Sequence, residues 1–292
     1  MGTVMTGVRV AGDAAELDRY AVFGNPIKHS RSPQIHAAFA AQTGQHLTYR
    51  AQLVELGQFE AAAREFFEGG GRGLNVTVPF KLNAFRFASE LSVRARHAGA
   101  VNTLAQLEDG SIYGDNTDGV GVVRDINDNL GWDITERRLL ILGAGGAARG
   151  ILEPLLRRQP HSVTIANRTR VKAAELAQLF GDLGTISGCG FEELTGRQFD
   201  LVINATSASL AGELPPLPHN LLSQNCCCYD LAYAAEPTPF MRWAASEAAW
   251  AVADGLGMLV EQAAESFCIW RGVRPETRPV IELIRAGLAA GH

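Results

Sequence analysis

The sequence predicts two α/β domains, and three observations carry that prediction. From about residue 139 onward one unit recurs: a short apolar run, a turn, then a longer stretch whose apolar residues fall at helical spacing. The first of those runs passes directly into a glycine-rich loop, Gly143-Ala144-Gly145-Gly146-Ala147-Ala148-Arg149-Gly150. Earlier in the chain a less regular set of runs also alternates with helical stretches, and clusters of polar side chains follow several of them. A length of 292 residues is about twice that of a common single domain and accommodates both units.

In order, the first half places strands at 20–23, 47–53, 73–78 and 101–107, with helices between them. Ser32-Pro33 marks one helix start, because proline at the first helical position loses no needed N–H and the preceding serine caps the free donors. The second half places six strands at 139–142, 163–166, 185–187, 201–204, 226–230 and 249–253. These runs are continuous rather than alternating, as in a parallel strand buried on both faces, so a doubly wound parallel sheet is expected. From 256 to about 288 two helices, separated near 272–275, carry no strand pattern and are expected to pack back on the first half. The expected domains are 1–117 together with 255–292, and 118–254, with joints at 116–119 and 255–257.

Composition narrows the function. Hydrophobic residues make up 47% and charged residues 20% of the chain, the balance of a globular protein and not of a disordered one. A formal net charge of −5 with scattered Lys and Arg gives no electrostatic support for nucleic acid as a partner. No apolar run is long enough to span a bilayer, and the first twenty residues lack a basic-then-apolar leader, so a cytoplasmic location is expected. Five cysteines, three of them consecutive (Cys226, Cys227, Cys228) and none in a C-x-x-C pair, indicate neither a disulfide framework nor a metal site. The triplet reads as part of a buried strand, since a free cysteine behaves as a small apolar residue.

The glycine loop satisfies G-x-G-x-x-G/A through Gly143, Gly145 and Ala148, with the required strand before it and helix after it. Glycines there let the backbone approach a pyrophosphate whose charge meets the N–H groups of the helix N-terminus, and a small residue at Ala148 permits close helix–strand packing. At the end of the second strand an NAD enzyme usually carries an acid for the ribose 2′-OH; this chain has Asn167-Arg168-Thr169. Arg168 suits a 2′-phosphate, with Asn167 and Thr169 as hydrogen-bonding partners and Arg170 and Lys172 adding positive charge, so NADP is the expected cofactor.

The polar clusters are 25–33 (NPIKHSRSP), 75–81 (NVTVPFK) and 115–119 (DNTDG). The carboxyl ends of strands are where open α/β sheets bind ligands, which gives the clustering a functional reading; singly, Ser32 and Asp118 also read as helix caps and Lys81 as a solvated lysine at a helix start.

Together the strings GNPIKHSRSP, NVTVPFK, AGAVNTL, GDNTDGVG, GAGGAARG, NRT, NATS and DGLGMLVEQAA, spread from Gly24 to Ala264, resemble the shikimate/quinate dehydrogenase family in content and order. NVTVPFK followed by GDNTDG is highly specific to it. The resemblance implies reversible, NADP-dependent reduction of 3-dehydroshikimate to shikimate, a step toward chorismate and the aromatic amino acids. It makes Lys81 and Asp118 the catalytic pair. That fits ketone reduction, which needs a proton on oxygen as well as a hydride on carbon, and calls for no metal. It assigns Ser30 and Ser32 to the substrate carboxylate, Thr77, Asn102, Asp118 and Gln262 to the ring hydroxyls, and Tyr233 to the rim. For the cofactor it assigns Gly143, Ala144, Gly145, Gly146, Ala147, Asn167, Arg168, Thr169, Lys172, Leu231 and Gly255. The chain departs from the family pattern at Ala208-Ser209, where a glycine is common. Beyond the small-molecule substrate, the expected partner is a second copy of the chain, a homodimer being preferred to a monomer. An NAD-using quinate enzyme would carry an acid near Asn167, and a ligand-binding regulator without turnover would have lost Lys81 or Asp118.

Overall fold

Every predicted run becomes a strand, all but 47–53 with shifted ends. The computed structural model describes residues 17–209 and 212–291, so the N-terminal stretch used above for location lies outside the described residues. The first lobe runs β1 (Asp18–Gly24), α1 (Ser32–Thr43), β2 (Leu47–Leu53), α2 (Phe59–Glu68), β3 (Gly71–Val76), α3 (Lys81–Phe87), β4 (Glu90–Leu91), α4 (Val93–Ala98), β5 (Thr103–Gln106) and β6 (Ile112–Asp115). Next, α5 (Asp118–Arg124) continues into one π-helical turn at Asp125–Asn129. The second lobe runs β7 (Arg138–Leu142), α6 (Gly146–Leu156), β8 (Ser162–Ala166), α7 (Arg170–Leu179), β9 (Ile186–Cys189), β10 (Phe199–Asn204), β11 (Leu222–Asp230), α8 (Pro239–Ser246) and β12 (Ala251–Asp254). Two helices, α9 (Leu256–Arg271) and α10 (Arg278–Ala289), close the chain.

The second sheet has the order β9-β8-β7-β10-β11-β12, every neighbouring pair parallel. The chain therefore leaves the middle of the sheet in both directions, and the crevice where β7 and β10 part is the switch point at which such sheets bind nucleotides. Leu139 and Ile141 enter one hydrophobic cluster and Leu140 and Leu142 the other, all fully buried, which is why the sequence shows a continuous run. In β11, Cys227 enters the first cluster and Cys226 and Cys228 the second, so the triplet is core, with free thiols.

In the first sheet the order is β2-β1-β3-β5-β6-β4, with β5 antiparallel to both β3 and β6. Strands β4 and β6 add to the four that were expected. β6 is short and carries glycine and aspartate, so its apolar signal is weak; the Asp109-Gly110 turn, with Gly110 at φ 84°, is what folds it back on β5. The expected serine cap at Ser32 is also corrected: α1 begins at Ser32 itself, no side chain caps it, and Ser30 Oγ accepts from the Ser32 N–H at 3.3 Å.

The last two helices return to the first lobe. Ile35 and Phe39 of α1 pack with Val260, Ala264 and Phe267 of α9 and with Val280 and Ile284 of α10. Among the described residues no helix is long and apolar enough to cross a membrane, and no group of three or more His, Cys, Asp or Glu side chains is placed to hold a metal ion.

Candidate active site

Strand ends from both sheets open onto one cleft of about 320 Å³. Segments after β1 bring Ser30 and Ser32, those after β3 bring Thr77 and Lys81, and those after β11 and β12 bring Leu231, Tyr233 and Gly255. Asn102, Asp118, Met258 and Gln262 complete the wall. All eight residues expected to act on the substrate therefore share one cavity, together with two of those expected at the cofactor.

Two helix starts create the pair at its centre. Lys81 is the first residue of α3 and Asp118 the first of α5, and Lys81 Nζ donates to Asp118 Oδ2 at 2.6 Å. The lysine side chain keeps 30% of its surface exposed and the aspartate 13%, so the ammonium reaches the cavity while its partner is largely enclosed. Asp118 does not serve as a side-chain cap; its other oxygen accepts from Asn102 Nδ2 at 2.8 Å. An ion pair held on its far side in this way keeps its direction.

Behind the pair lies a buried polar network. Asn102 Oδ1 accepts from the Thr117 N–H at 2.9 Å, from Thr117 Oγ1 at 3.1 Å and from Thr103 Oγ1 at 2.9 Å. Gln262 Oε1 accepts from Asn102 Nδ2 and Thr117 Oγ1, each at 3.4 Å, while its amide donates to Leu259 O at 2.8 Å. Asn75 Nδ2 donates to Ser266 Oγ at 3.0 Å, and Tyr49 Oη donates to Asn75 Oδ1 at 2.7 Å. The Tyr49 ring stacks on His36 with centroids 4.1 Å apart. His36 is buried and its ring nitrogens make no hydrogen bond, so desolvation, outweighing the upward pull of the nearby Asn75 amide, pushes its imidazole down to about 3. Sequence reading missed Ser266, Tyr49 and His36, and it included Asn75 in the 75–81 cluster without giving it a role. For Ser266 a signal was available, since it falls one helical turn after Gln262.

The residues expected at the cofactor have a different character. Gly143 adopts φ 100°, a left-handed conformation, and a Cβ there would stand 3.1 Å from the Ala205 carbonyl oxygen. Outside the loop there is room: a Cβ on Gly145 or Gly146 would meet no heavy atom within 4 Å, and no side chain caps α6, while Ala148 is fully buried as the fingerprint requires. Ala144 is half-buried and Ala147 exposed. Open backbone N–H groups at a helix start suit a pyrophosphate, so the residues present fit a dinucleotide. Arg168, Thr169 and Lys172 are exposed, and Asn167 Nδ2 donates to Thr169 O at 3.0 Å, which shapes the turn after β8. Arg170 is exposed as well and pairs with Glu193 at 2.8 Å. Gly255 permits a close approach: a Cβ there would lie 2.2 Å from the Leu231 carbonyl oxygen. At the Ala208-Ser209 departure, Ser209 Oγ donates to buried Asp230 at 2.7 Å and accepts from Asn204 Nδ2 at 3.0 Å, so side chains fasten this segment to β10 and β11.

Residues 22–104 match the family model described as shikimate dehydrogenase substrate binding domain, 125–211 the one described as shikimate / quinate 5-dehydrogenase, and 255–285 the one described as shikimate 5′-dehydrogenase C-terminal domain. The shikimate dehydrogenase (NADP(+)) of Methylococcus capsulatus is 61% identical over 269 residues, covering 92% of this chain and 96% of its own. That of Cellvibrio japonicus is 59% identical over 271 residues, 93% of this chain and 98% of its own. Among solved structures, a Thermus thermophilus shikimate 5-dehydrogenase in complex with NADP(H) and shikimate superposes with TM-score 0.82 at 32% identity, covering 93% of this chain and 100% of that one.

Proposed function

The chain belongs to the shikimate dehydrogenase family, and from that membership and the cleft geometry we propose that it catalyses the reversible NADPH-dependent reduction of 3-dehydroshikimate to shikimate in chorismate and aromatic amino acid biosynthesis. The observation that carries this reading is the Lys81–Asp118 pair, at 2.6 Å, facing a cavity ringed by short hydroxyl and amide groups. NADPH, when bound, supplies the hydride. Lys81 Nζ polarises the substrate ketone and hands a proton to its oxygen, and Asp118 keeps the ammonium aimed while accepting a ring hydroxyl. Ser30 and Ser32 at the start of α1 hold the carboxylate; Thr77, Asn102 and Gln262 bind the remaining hydroxyls, and Tyr233 covers the rim.

Gly143 to Ala147 take the pyrophosphate, Asn167, Arg168, Thr169 and Lys172 the 2′-phosphate end, and Leu231 and Gly255 the nicotinamide end. The same reading assigns 1–117 with 255–292 to the substrate and 118–254 to the cofactor, a division supported by the separate hydrophobic clusters of the two lobes. A cytoplasmic location and a homodimer belong to it as well, the latter measurable by sedimentation velocity. The decisive experiment follows absorbance at the nicotinamide band with shikimate and quinate, each against NADP+ and NAD+. Fastest turnover with shikimate and NADP+ is expected; a clear preference for quinate or for NAD+ overturns the assignment.

A further inference from the structure

A side chain of the cofactor loop, that of Arg149, reaches across to the catalytic lobe, and this residue has no part in the assignments above. It is the fourth residue of α6, and its N–H bonds to Gly145 O at 3.0 Å, closing the first turn of the helix on the glycine loop. Its Nε donates to the His97 carbonyl at 3.0 Å, in the last turn of α4 in the other lobe. The carbonyls at a helix C-terminus are short of donors, so a guanidinium is a fitting partner there, and among the described residues no carboxylate pairs with Arg149.

Gly99 makes room for it. This residue ends α4 in the left-handed conformation, φ 60°, and a Cβ on it would stand 2.7 Å from the nearest guanidinium nitrogen. The seam continues on both sides: the His97 ring lies 6.0 Å from that of Phe180 in the second lobe, and a Cβ on Gly119 of α5 would stand 2.7 Å from the Gly150 carbonyl oxygen of α6. What Arg149 grips leads at once into the catalytic machinery. The Val101 N–H donates to the Lys81 carbonyl at 3.0 Å, Ala100 O accepts from Asn116 Nδ2 at 3.1 Å, and Asn102 holds Asp118.

We propose that Arg149 is a positioning residue: by clasping the His97–Gly99 corner it fixes the glycine loop relative to the Lys81–Asp118 pair, and so fixes the hydride donor relative to the proton donor. The proposal rests on the dehydrogenase reading for its kinetic consequence but not for its mechanical one. Hydrogen–deuterium exchange on the cofactor-free protein reads the latter: Arg149→Met is expected to speed exchange of the 99–102 amides several-fold, with Arg149→Lys staying close to wild type. In the assay with shikimate and NADP+, Arg149→Met is expected to lower kcat about 10-fold while the Kd for NADP+ changes less than 3-fold, and Arg149→Lys to recover most of the loss. Unchanged exchange in Arg149→Met overturns the clasp. Faster exchange with unchanged kcat overturns its role in the reaction, and a Kd that rises in step with the fall in kcat makes Arg149 a cofactor ligand instead. If wild type shows no turnover, the functional reading fails, while the exchange measurement still decides the clasp.

Discussion

The two sides of the cleft are built in opposite ways. On the substrate side, Asn102, Thr103, Thr117 and Ser266 are buried and bonded to one another, so the side chains that line the cavity are set before anything enters. On the side proposed for the cofactor, Gly145 and Gly146 have open space beyond them and Arg168, Thr169 and Lys172 are exposed, so what it offers is bare backbone and solvent-facing side chains. A small polyol with several similar hydroxyls demands fixed partners, because misplacing one donor exchanges one hydroxyl for another. A dinucleotide, long and charged, tolerates a looser grip spread over many contacts.

Breaking the substrate side at its centre gives the largest expected effect. Lys81→Ala is expected to lower kcat by roughly 10²- to 10⁴-fold with a much smaller change in substrate affinity, measured by steady-state kinetics and by equilibrium binding; near-normal turnover would remove Lys81 from its role. On the cofactor side Arg168→Ala is expected to weaken NADP+ by roughly 10- to 100-fold and NAD+ hardly at all, the loss of a charge-assisted bond to the 2′-phosphate; equal weakening of both would contradict the assignment. Replacing both Ser30 and Ser32 by alanine is expected to raise the KM for shikimate about 10-fold, and unchanged kinetics would make these serines structural only.

The smallest effect probes how rigid the substrate side is beneath its surface. Native His36 stays neutral down to about 3 whereas the unfolded residue takes up a proton near 6.5, so the unfolded chain binds more protons in that window. The associated stability is complete above 6.5 and is lost as pH falls toward 3. At pH 6 the loss amounts to about 1 kcal/mol, and it grows on further acidification. Urea midpoints measured against pH should therefore decline less steeply on the acid side for His36→Phe than for wild type; identical slopes would show that the ring is not sealed beneath Tyr49.

Legibility in the sequence followed the same divide. The cofactor lobe is repetitive and local: Leu139 to Leu142 must form a doubly buried strand, and a glycine at φ 100° followed by an uncapped helix start is a short-range pattern that a sequence displays. In the substrate lobe β6 was not legible, because Ile112 to Asp115 gain their strand from pairing with β5 and not from their own apolar content. Ser32 shows the limit of local rules, since the helix starts on it and its expected cap is absent.

By itself the sequence determined the two α/β units, the identity of the residues with chemistry to offer, and the preference for a phosphorylated dinucleotide, because each depends on residue type and short spacing. Only tertiary structure decided that Gln262 and Ser266 meet Asn102, Thr103 and Thr117 after about half the chain has intervened, that Arg170 pairs with Glu193, and that Arg149 crosses between the lobes. Hydrogen bonds reach about 3 Å whatever the distance along the chain, so contacts of that kind exist only once both sheets and the helices between them have packed.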